Sequence, residues 1–148
     1  MATFYTYFLV AIVLLAGCSR SRWLREFELD ERSFDSEAMQ WVTGKSGLDI
    51  PGEARGLNFR YRPPIDPSFV ARIAIPEDSR HDVVEQIKTL KDEEVNISGG
   101  LGEKVDWWLP PTEAIIIDRE QLRNNHYLRA AVTIEDDQTI LYVWHSVF

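Results

Sequence analysis

One pair of residues in this chain has a spacing that could bind a metal ion. His81 and Glu85 are four residues apart in a segment predicted to be helical, so both would lie on one helix face. Zinc sites use His and carboxylate ligands, but a site needs three or four of them. Since the sequence supplies no third ligand at a matching spacing, we interpret the pair as solvated. His126 and His145 have no local partner motif, and we predict no metal and no cofactor.

Other motifs that carry chemistry are incomplete. The segment from Ser98 to Lys104 is rich in Gly, but it lacks the Walker spacing that ends in Lys followed by Ser or Thr. We interpret it as a loop. A Gly-x-Ser-x-Gly nucleophile motif is absent, and the adjacent acids Asp136 and Asp137 are typical of a turn. The sequence therefore names no catalytic residue and favours a non-enzymatic role.

Three arginines form a candidate binding surface. Arg60, Arg62 and Arg72 lie in two segments predicted to be strands of one hairpin, where they could share a face and attract an anionic group. The alternative is a solvated sheet face on which these arginines pair with some of the 24 acids. The sequence alone leaves both interpretations open, although ion pairing is the commoner arrangement.

Two adjacent tryptophans form a second candidate surface. Trp107 and Trp108 precede Leu109-Pro110-Pro111. Neighbouring side chains in an extended segment point to opposite sides, so one of the two would be left to cover an edge or form an exposed contact patch. The alternative is that a bend lets both enter the core.

The start of the chain carries the most specific motif. An apolar run from about Phe4 to Ala16 ends in Leu15-Ala16-Gly17-Cys18, and Cys18 is the single cysteine. The run is shorter than the roughly 20 apolar residues of a membrane-spanning helix, and small residues before a cut site are typical of a secretory signal. The segment resembles the lipobox of bacterial lipoproteins. The resemblance implies a signal peptide over residues 1–17 and fatty acyl chains, such as palmitate, on Cys18.

The same resemblance implies a location. Ser19, the residue after the cysteine, is not a signal for retention at an inner membrane. We therefore expect a protein anchored on the outer side of the cytoplasmic membrane, with the periplasmic face of an outer membrane favoured if the cell has one. The alternative is a buried N-terminal strand or helix with a free thiol at Cys18.

Composition limits the remaining possibilities. A chain that starts at Cys18 has 131 residues (148 − 17), which suits one domain. Its net charge of −8 argues against nucleic acid as a partner, because phosphate binding needs clustered Lys and Arg. Residues 18–33 are mostly charged, and we interpret them as a membrane-proximal tether. Its first half is basic and its second half is mainly acidic. Residues 34–148 are predicted to be a single globular domain.

Hydrophobic periodicity predicts the elements of this domain. Helices are expected over about Ser36–Lys45, with Asp35 as N-cap, and over about Arg80–Lys91, with Ser79 and Asp82 as a capping box. Leu57, Phe59 and Tyr61 alternate with polar residues, which predicts a strand with these three on one face. Its predicted hairpin partner is the strand Phe69–Ile75.

The second half of the chain is predicted to be mainly strand. We expect a strand over Ala114–Ile117, a polar turn over Asp118–Asn125, and a hairpin over Tyr127–Phe148 with its loop at Glu135–Gln138. The register of this hairpin is ambiguous because residues 140–144 are apolar on both faces, which is typical of a central strand. The predicted fold is α+β, a mostly antiparallel sheet of four to five strands with two helices packed on one face.

These observations define two hypotheses for function. The first is a lipid-anchored cell-envelope protein, membrane-bound through Cys18, whose non-catalytic domain binds a protein or another envelope component. The alternative is a small envelope enzyme or metal-binding protein with a site assembled from scattered His, Asp and Glu. A cluster of His81, His126 or His145 with two or more carboxylates would favour the alternative. Exposure of Trp107 or Trp108 in an apolar patch would favour the first hypothesis.

Overall fold

A six-stranded antiparallel sheet forms the body of the protein. The computed structural model describes residues 22–63, 65, 67–95, 101, 105–108 and 110–148. In spatial order β1-β2-β3-β6-β5-β4, all neighbouring strands are antiparallel. The strands are β1 (Phe27–Asp30), β2 (Arg55–Arg62), β3 (Ser68–Ile75), β4 (Ile115–Arg123), β5 (His126–Glu135) and β6 (Gln138–Val147). The α+β class and the antiparallel sheet are confirmed, but the predicted count of four to five strands is wrong.

The additional strand β1 lies in the segment interpreted as a tether. Residues 18–33 were predicted to connect membrane and domain, yet within them Arg22–Leu24 form a 3-10 turn and Phe27–Asp30 pair with β2. Phe27 and Leu29 pack against the core while Glu28 and Asp30 face solvent. The described part of that segment therefore belongs to the fold. The sequence did not reveal this strand, because two apolar residues among charged neighbours do not form a recognisable alternating pattern.

Strand β4 is longer than its sequence suggests. The predicted polar turn over Asp118–Asn125 is wrong, because the strand continues to Arg123 and turns only at Asn124 and Asn125. Both asparagines have left-handed backbone conformations (φ 49° and 64°), which a two-residue hairpin turn requires. Polar side chains are tolerated here because β4 is an edge strand of the sheet. Residues 91–95 cover part of its outer side, where the Glu93 N–H donates to Glu120 O at 3.0 Å.

The last hairpin is confirmed, and its register is now defined. Asp136 and Asp137 form its two-residue turn (φ 48° and 62°), and Glu135 pairs with Gln138. β6 is buried on both faces between β3 and β5, as its two-sided apolar sequence predicted.

Two α-helices occur in the part of the chain that the structure describes. α1 (Ser36–Ser46) begins at the predicted N-cap Asp35 and ends at Gly47, whose φ of 70° favours glycine. α2 (Arg80–Lys88) is shorter than predicted. The prediction of a capping box is wrong, because the Ser79 side chain forms no capping hydrogen bond. A 3-10 turn, Glu77–Ser79, leads into the helix instead.

Both faces of the sheet are covered, which differs from the predicted packing. Side chains of α1 and α2 join one apolar cluster, exemplified by Val42 and Ile87. On the other face, Leu101, Val105 and Trp108 cover a second cluster. No helix within the described ranges is long and apolar enough to cross a membrane.

A bulge in β2 moves one predicted core residue to the second cluster. The register shifts between Gly56 and Asn58, so Leu57 packs on the face opposite Phe59 and Tyr61. The prediction that all three share a face is wrong, because alternation in the sequence does not reveal an inserted residue.

Candidate functional site

The three predicted arginines do lie on one sheet face. Arg72 is opposite Asn58 across the β2–β3 ladder, so it shares a face with Arg60 and Arg62, on the side away from the helices. Arg60 is ion-paired with Glu26 at 2.7 Å and lies 3.8 Å from Glu28. No ion pair joins Arg62 to another residue in the described part of the chain.

Arg72 is part of a partly buried polar network. Its Nη2 donates to Glu135 Oε2 at 2.5 Å, and its guanidinium lies 5.8 Å from the Tyr142 ring centre. Glu135 Oε1 also accepts hydrogen bonds from Thr133 Oγ1 and the Tyr142 hydroxyl, each at 2.6 Å. Burial alone would raise the pKa of Glu135, but these bonds and Arg72 hold it below its usual value. Because its charge is balanced in this way, Arg72 contributes to the fold more than to an anion site.

Neither tryptophan forms an exposed apolar patch. The 3-10 turn Asp106–Trp108 bends the chain, so Trp108 enters the second cluster and contacts Tyr142 and Trp144 edge to face. Trp107 is half-buried, and its Nε1 donates to Glu28 Oε1 at 2.8 Å. The structure therefore matches the bent arrangement.

His81 does not form a site with Glu85. Both are exposed on α2, and Glu85 pairs with Lys88 at 2.5 Å. That hydrogen bond lowers the Glu85 pKa, with the charge of His81 a minor cause. Among the described residues, no group of three or more His, Cys, Asp or Glu could hold a metal ion. The acids Asp136 and Asp137 form the β5–β6 turn. Cys18, residues 98–100 and residues 102–104 lie outside the described residues.

A histidine pair connects the other two predicted histidines. His126 Nδ1 lies 3.3 Å from His145 Nε2, and the His145 ring stacks on Phe69. His145 faces Leu128 across the ladder, so the two histidines are diagonal neighbours. The sequence contained a signal for this pair that our predictions did not use. A two-residue turn at Asp136-Asp137 sets the β5–β6 register, and this register makes His126 and His145 neighbours.

The histidines line a small basic cavity. It measures about 280 Å³. Its lining residues are Lys45, Ser46, Gln121, Arg123, Asn124, His126, Leu128 and His145. Burial lowers the pKa of His145 to about 4, with positive charge on His126 and Lys45 as further causes. A neutral His145 between cations, with no carboxylate in the lining, suits the cavity to an anionic or neutral group and not to a cation.

A more apolar groove lies between α1 and the segment before β2. It has a volume of about 770 Å³, and its lining includes half-buried Phe34, Met39 and Ala54. Acids in the lining are Glu31, Asp35 and Glu53. Glu31 pairs with Arg55 and Asp35 pairs with Arg22, so most of this charge is balanced. The groove can therefore accept an uncharged, apolar group.

No protein-family model, curated protein or solved structure matches this chain.

Proposed function

We propose that this protein is a lipid-anchored cell-envelope domain, acylated on Cys18, that binds another envelope component and is not an enzyme. The observation that carries the proposal is the segment Leu15-Ala16-Gly17-Cys18 at the end of an apolar run. The apolar core and the small residues before the cysteine fit a cleaved signal. Several acyl chains on one residue would give stable anchoring, since one chain alone is marginal.

The proposal that the domain is non-catalytic is supported by ion pairs that bind charged side chains to one another within the fold. Arg72 and Glu135 are bound to one another, and Arg60 and Glu28 are bound within the fold. The histidine pair meets no carboxylate in its cavity. The alternative, a small envelope enzyme or metal-binding protein with scattered His, Asp and Glu ligands, has less support from these contacts.

The groove beside α1 is the proposed contact site for the partner. Its half-buried apolar lining would be covered by an apolar side chain, which gives a hydrophobic gain on binding. Gln40 lies in this groove and is exposed, so a photo-crosslinking residue placed there tests the site in living cells. The control places the same photo-crosslinking residue at position 81 on α2, where His81 is exposed. Equal crosslinking at both positions would contradict the groove as the contact site.

Lipidation is tested by intact-mass measurement of the protein isolated from its own cells. The expected mass corresponds to residues 18–148 plus acyl chains, and Cys18→Ser should leave the membrane fraction. A protein that retains Met1 and carries no acyl chain would overturn the proposal.

A further inference from the structure

The described part of the domain begins very close to the proposed anchor in the sequence. Arg22 is the first described residue, only four positions after Cys18. Four residues span at most about 14 Å, even when fully extended. Arg22 is held on the domain by Asp35. If Cys18 carries the lipid, as proposed above, the part of the domain around Arg22 must remain within this distance of the bilayer.

Strand directions define which part of the domain that is. β1 starts beside Arg22, and β2 ends, β3 starts and β6 ends at the same side of the sheet, because Phe27 pairs with Tyr61 and Ser68 with Ser146. The β4–β5 turn joins this side through the Phe148 N–H, which donates to Asn125 O at 3.0 Å. We call this side the anchor end. Across six strands it is about 24 Å long.

The anchor end exposes large apolar side chains. Leu24 is 69% exposed, Ile65 94% and Phe148 53%. They come from three separate segments: before β1, between β2 and β3, and after β6. They are three of the six exposed large hydrophobic side chains in the described part of the chain. Three large apolar side chains exposed along one end of the sheet suit that end to contact with an apolar surface.

Charge is also divided between the two ends of the sheet. Cations at the anchor end are Lys45, Arg25, Arg62 and Arg123. Acids lie there too, but they are paired: Glu26 with Arg60, and Asp35 and Glu37 with Arg22. Glu93, which accepts from the Leu122 N–H, is paired with Lys91, and the sequence places Asp66 in the β2–β3 loop. Exposed acids in the turns at the opposite end are Glu31, Glu53, Glu77, Asp78, Asp136 and Asp137. Arg55 and Arg80, at that end, are paired with Glu31 and Glu77.

We propose that the anchor end lies directly on an anionic bilayer. Leu24, Ile65 and Phe148 enter the interfacial region, while Arg62 and Arg123 contact lipid phosphates. A protein partner is the less suitable occupant, because the short connection to Cys18 brings this surface to the membrane. The acidic end then points away from the lipid, which gives the domain a fixed orientation instead of free movement on a tether.

The test uses the lipidated mature protein (residues 18–148), purified from the producing cells, in vesicles of phosphatidylcholine with phosphatidylglycerol. Ile65→Cys carries an environment-sensitive dye, and Asp137→Cys carries it in the control. Lipid-borne quenchers should quench the dye at position 65 and leave position 137 unaffected. Protein that floats with the vesicles but leaves the dye at position 65 in water overturns this inference alone. Protein that carries no acyl chain overturns the proposed lipidation.

Two double charge-reversal variants test whether the basic residues of the anchor end contribute to its contact with the anionic bilayer. Arg62→Glu with Arg123→Glu should reduce quenching at position 65 by about threefold, because each basic residue near anionic lipid contributes to binding. Arg32→Glu with Arg80→Glu changes the net charge equally at the opposite end and should leave quenching unchanged. The same reduction in both double variants would overturn a specific role for the anchor end.

Discussion

Arg22 forms a two-point ion pair with Asp35, in which Nη1 donates to Oδ2 at 2.6 Å and Nη2 donates to Oδ1 at 3.0 Å. Asp35 Oδ1 also accepts from the Ala38 backbone N–H at 2.9 Å. The hydrogen bond from Arg22 is the main cause that holds the Asp35 pKa below its usual value. One carboxylate therefore caps helix α1 and fixes the first described residue of the chain.

Substitutions of Asp35 should separate these two roles. Asp35→Ala removes both the cap and the ion pair, and we expect it to lower the free energy of unfolding by about 1–2 kcal/mol. Asp35→Asn keeps a good capping side chain and loses only a half-exposed ion pair, so its cost should be less than about 1 kcal/mol. Urea denaturation followed by tryptophan fluorescence measures both. Equal losses in the two variants would contradict a separate capping role.

Gly56 is required by a close approach of Phe34. A Cβ on Gly56 would lie 2.1 Å from Phe34 Cγ, so the ring would have to leave its position over the bulge. Gly56→Ala should therefore destabilise the protein by about 1–3 kcal/mol. Gly44→Ala is the matched control, because nothing lies within 4 Å of the added carbon and Ala is the better helix former. Thermal unfolding should shift down for the first variant and slightly up for the second; a neutral Gly56→Ala would contradict the packing argument.

Elements with a clear period were predictable from the sequence. The cap of α1 at Asp35 and the hairpin around Asp136-Asp137 depend on local residues, and both were correct. Strand β1 and the second half of β4 were not predictable, because edge strands can be polar. β1 also gains its pairing from β2, which is distant from it in the sequence. The bulge at Leu57 likewise depends on how β2 meets β3, and not on the period of its own residues.

The candidate site was predictable only in part. The shared face of Arg60, Arg62 and Arg72 follows from strand alternation, which the sequence shows. The ion-pair partners of these arginines do not follow from the sequence, since Glu135 is 63 residues from Arg72. The anchor end depends on which strand ends coincide, and therefore on β1, which sequence analysis missed.

Glu135 should contribute more to stability than an exposed acid. Glu135→Gln leaves the half-buried Arg72 without a counter-charge, and the Arg72 Nε is already buried without a hydrogen-bond partner among the described residues. We expect a loss of about 2 kcal/mol, since removing one member of a buried pair leaves an unbalanced charge. Glu85→Gln, at the exposed pair with Lys88, should leave the free energy of unfolding nearly unchanged.

A double-mutant cycle then tests whether the effect of Glu135 passes through Arg72. Arg72→Met should lose less stability in the Glu135→Gln background than in the wild type, because the charge that needs balancing is gone. Urea denaturation of the four proteins gives the coupling energy. Strictly additive losses would show that Glu135 acts through Thr133 and Tyr142 alone.

His145 should make stability depend on pH between pH 7.5 and pH 5. Its side chain is only 4% exposed, and its folded pKa of about 4 lies below the ordinary value of 6.5. The unfolded chain therefore binds a proton on this residue as the pH falls through 6.5, while the folded protein does not. Stability is greatest above pH 6.5 and should be about 2 kcal/mol lower at pH 5.

The pH effect is assigned to His145 by substitution. His145→Gln removes the titrating group while retaining a polar side chain next to His126, so its stability should change much less between pH 7.5 and pH 5. Carboxylates whose folded pKa values are lowered, such as Glu135, lose their contribution only at more acidic pH. A wild-type slope that persists unchanged in His145→Gln would mean that another group binds the proton and that burial of a neutral His145 is not its cause.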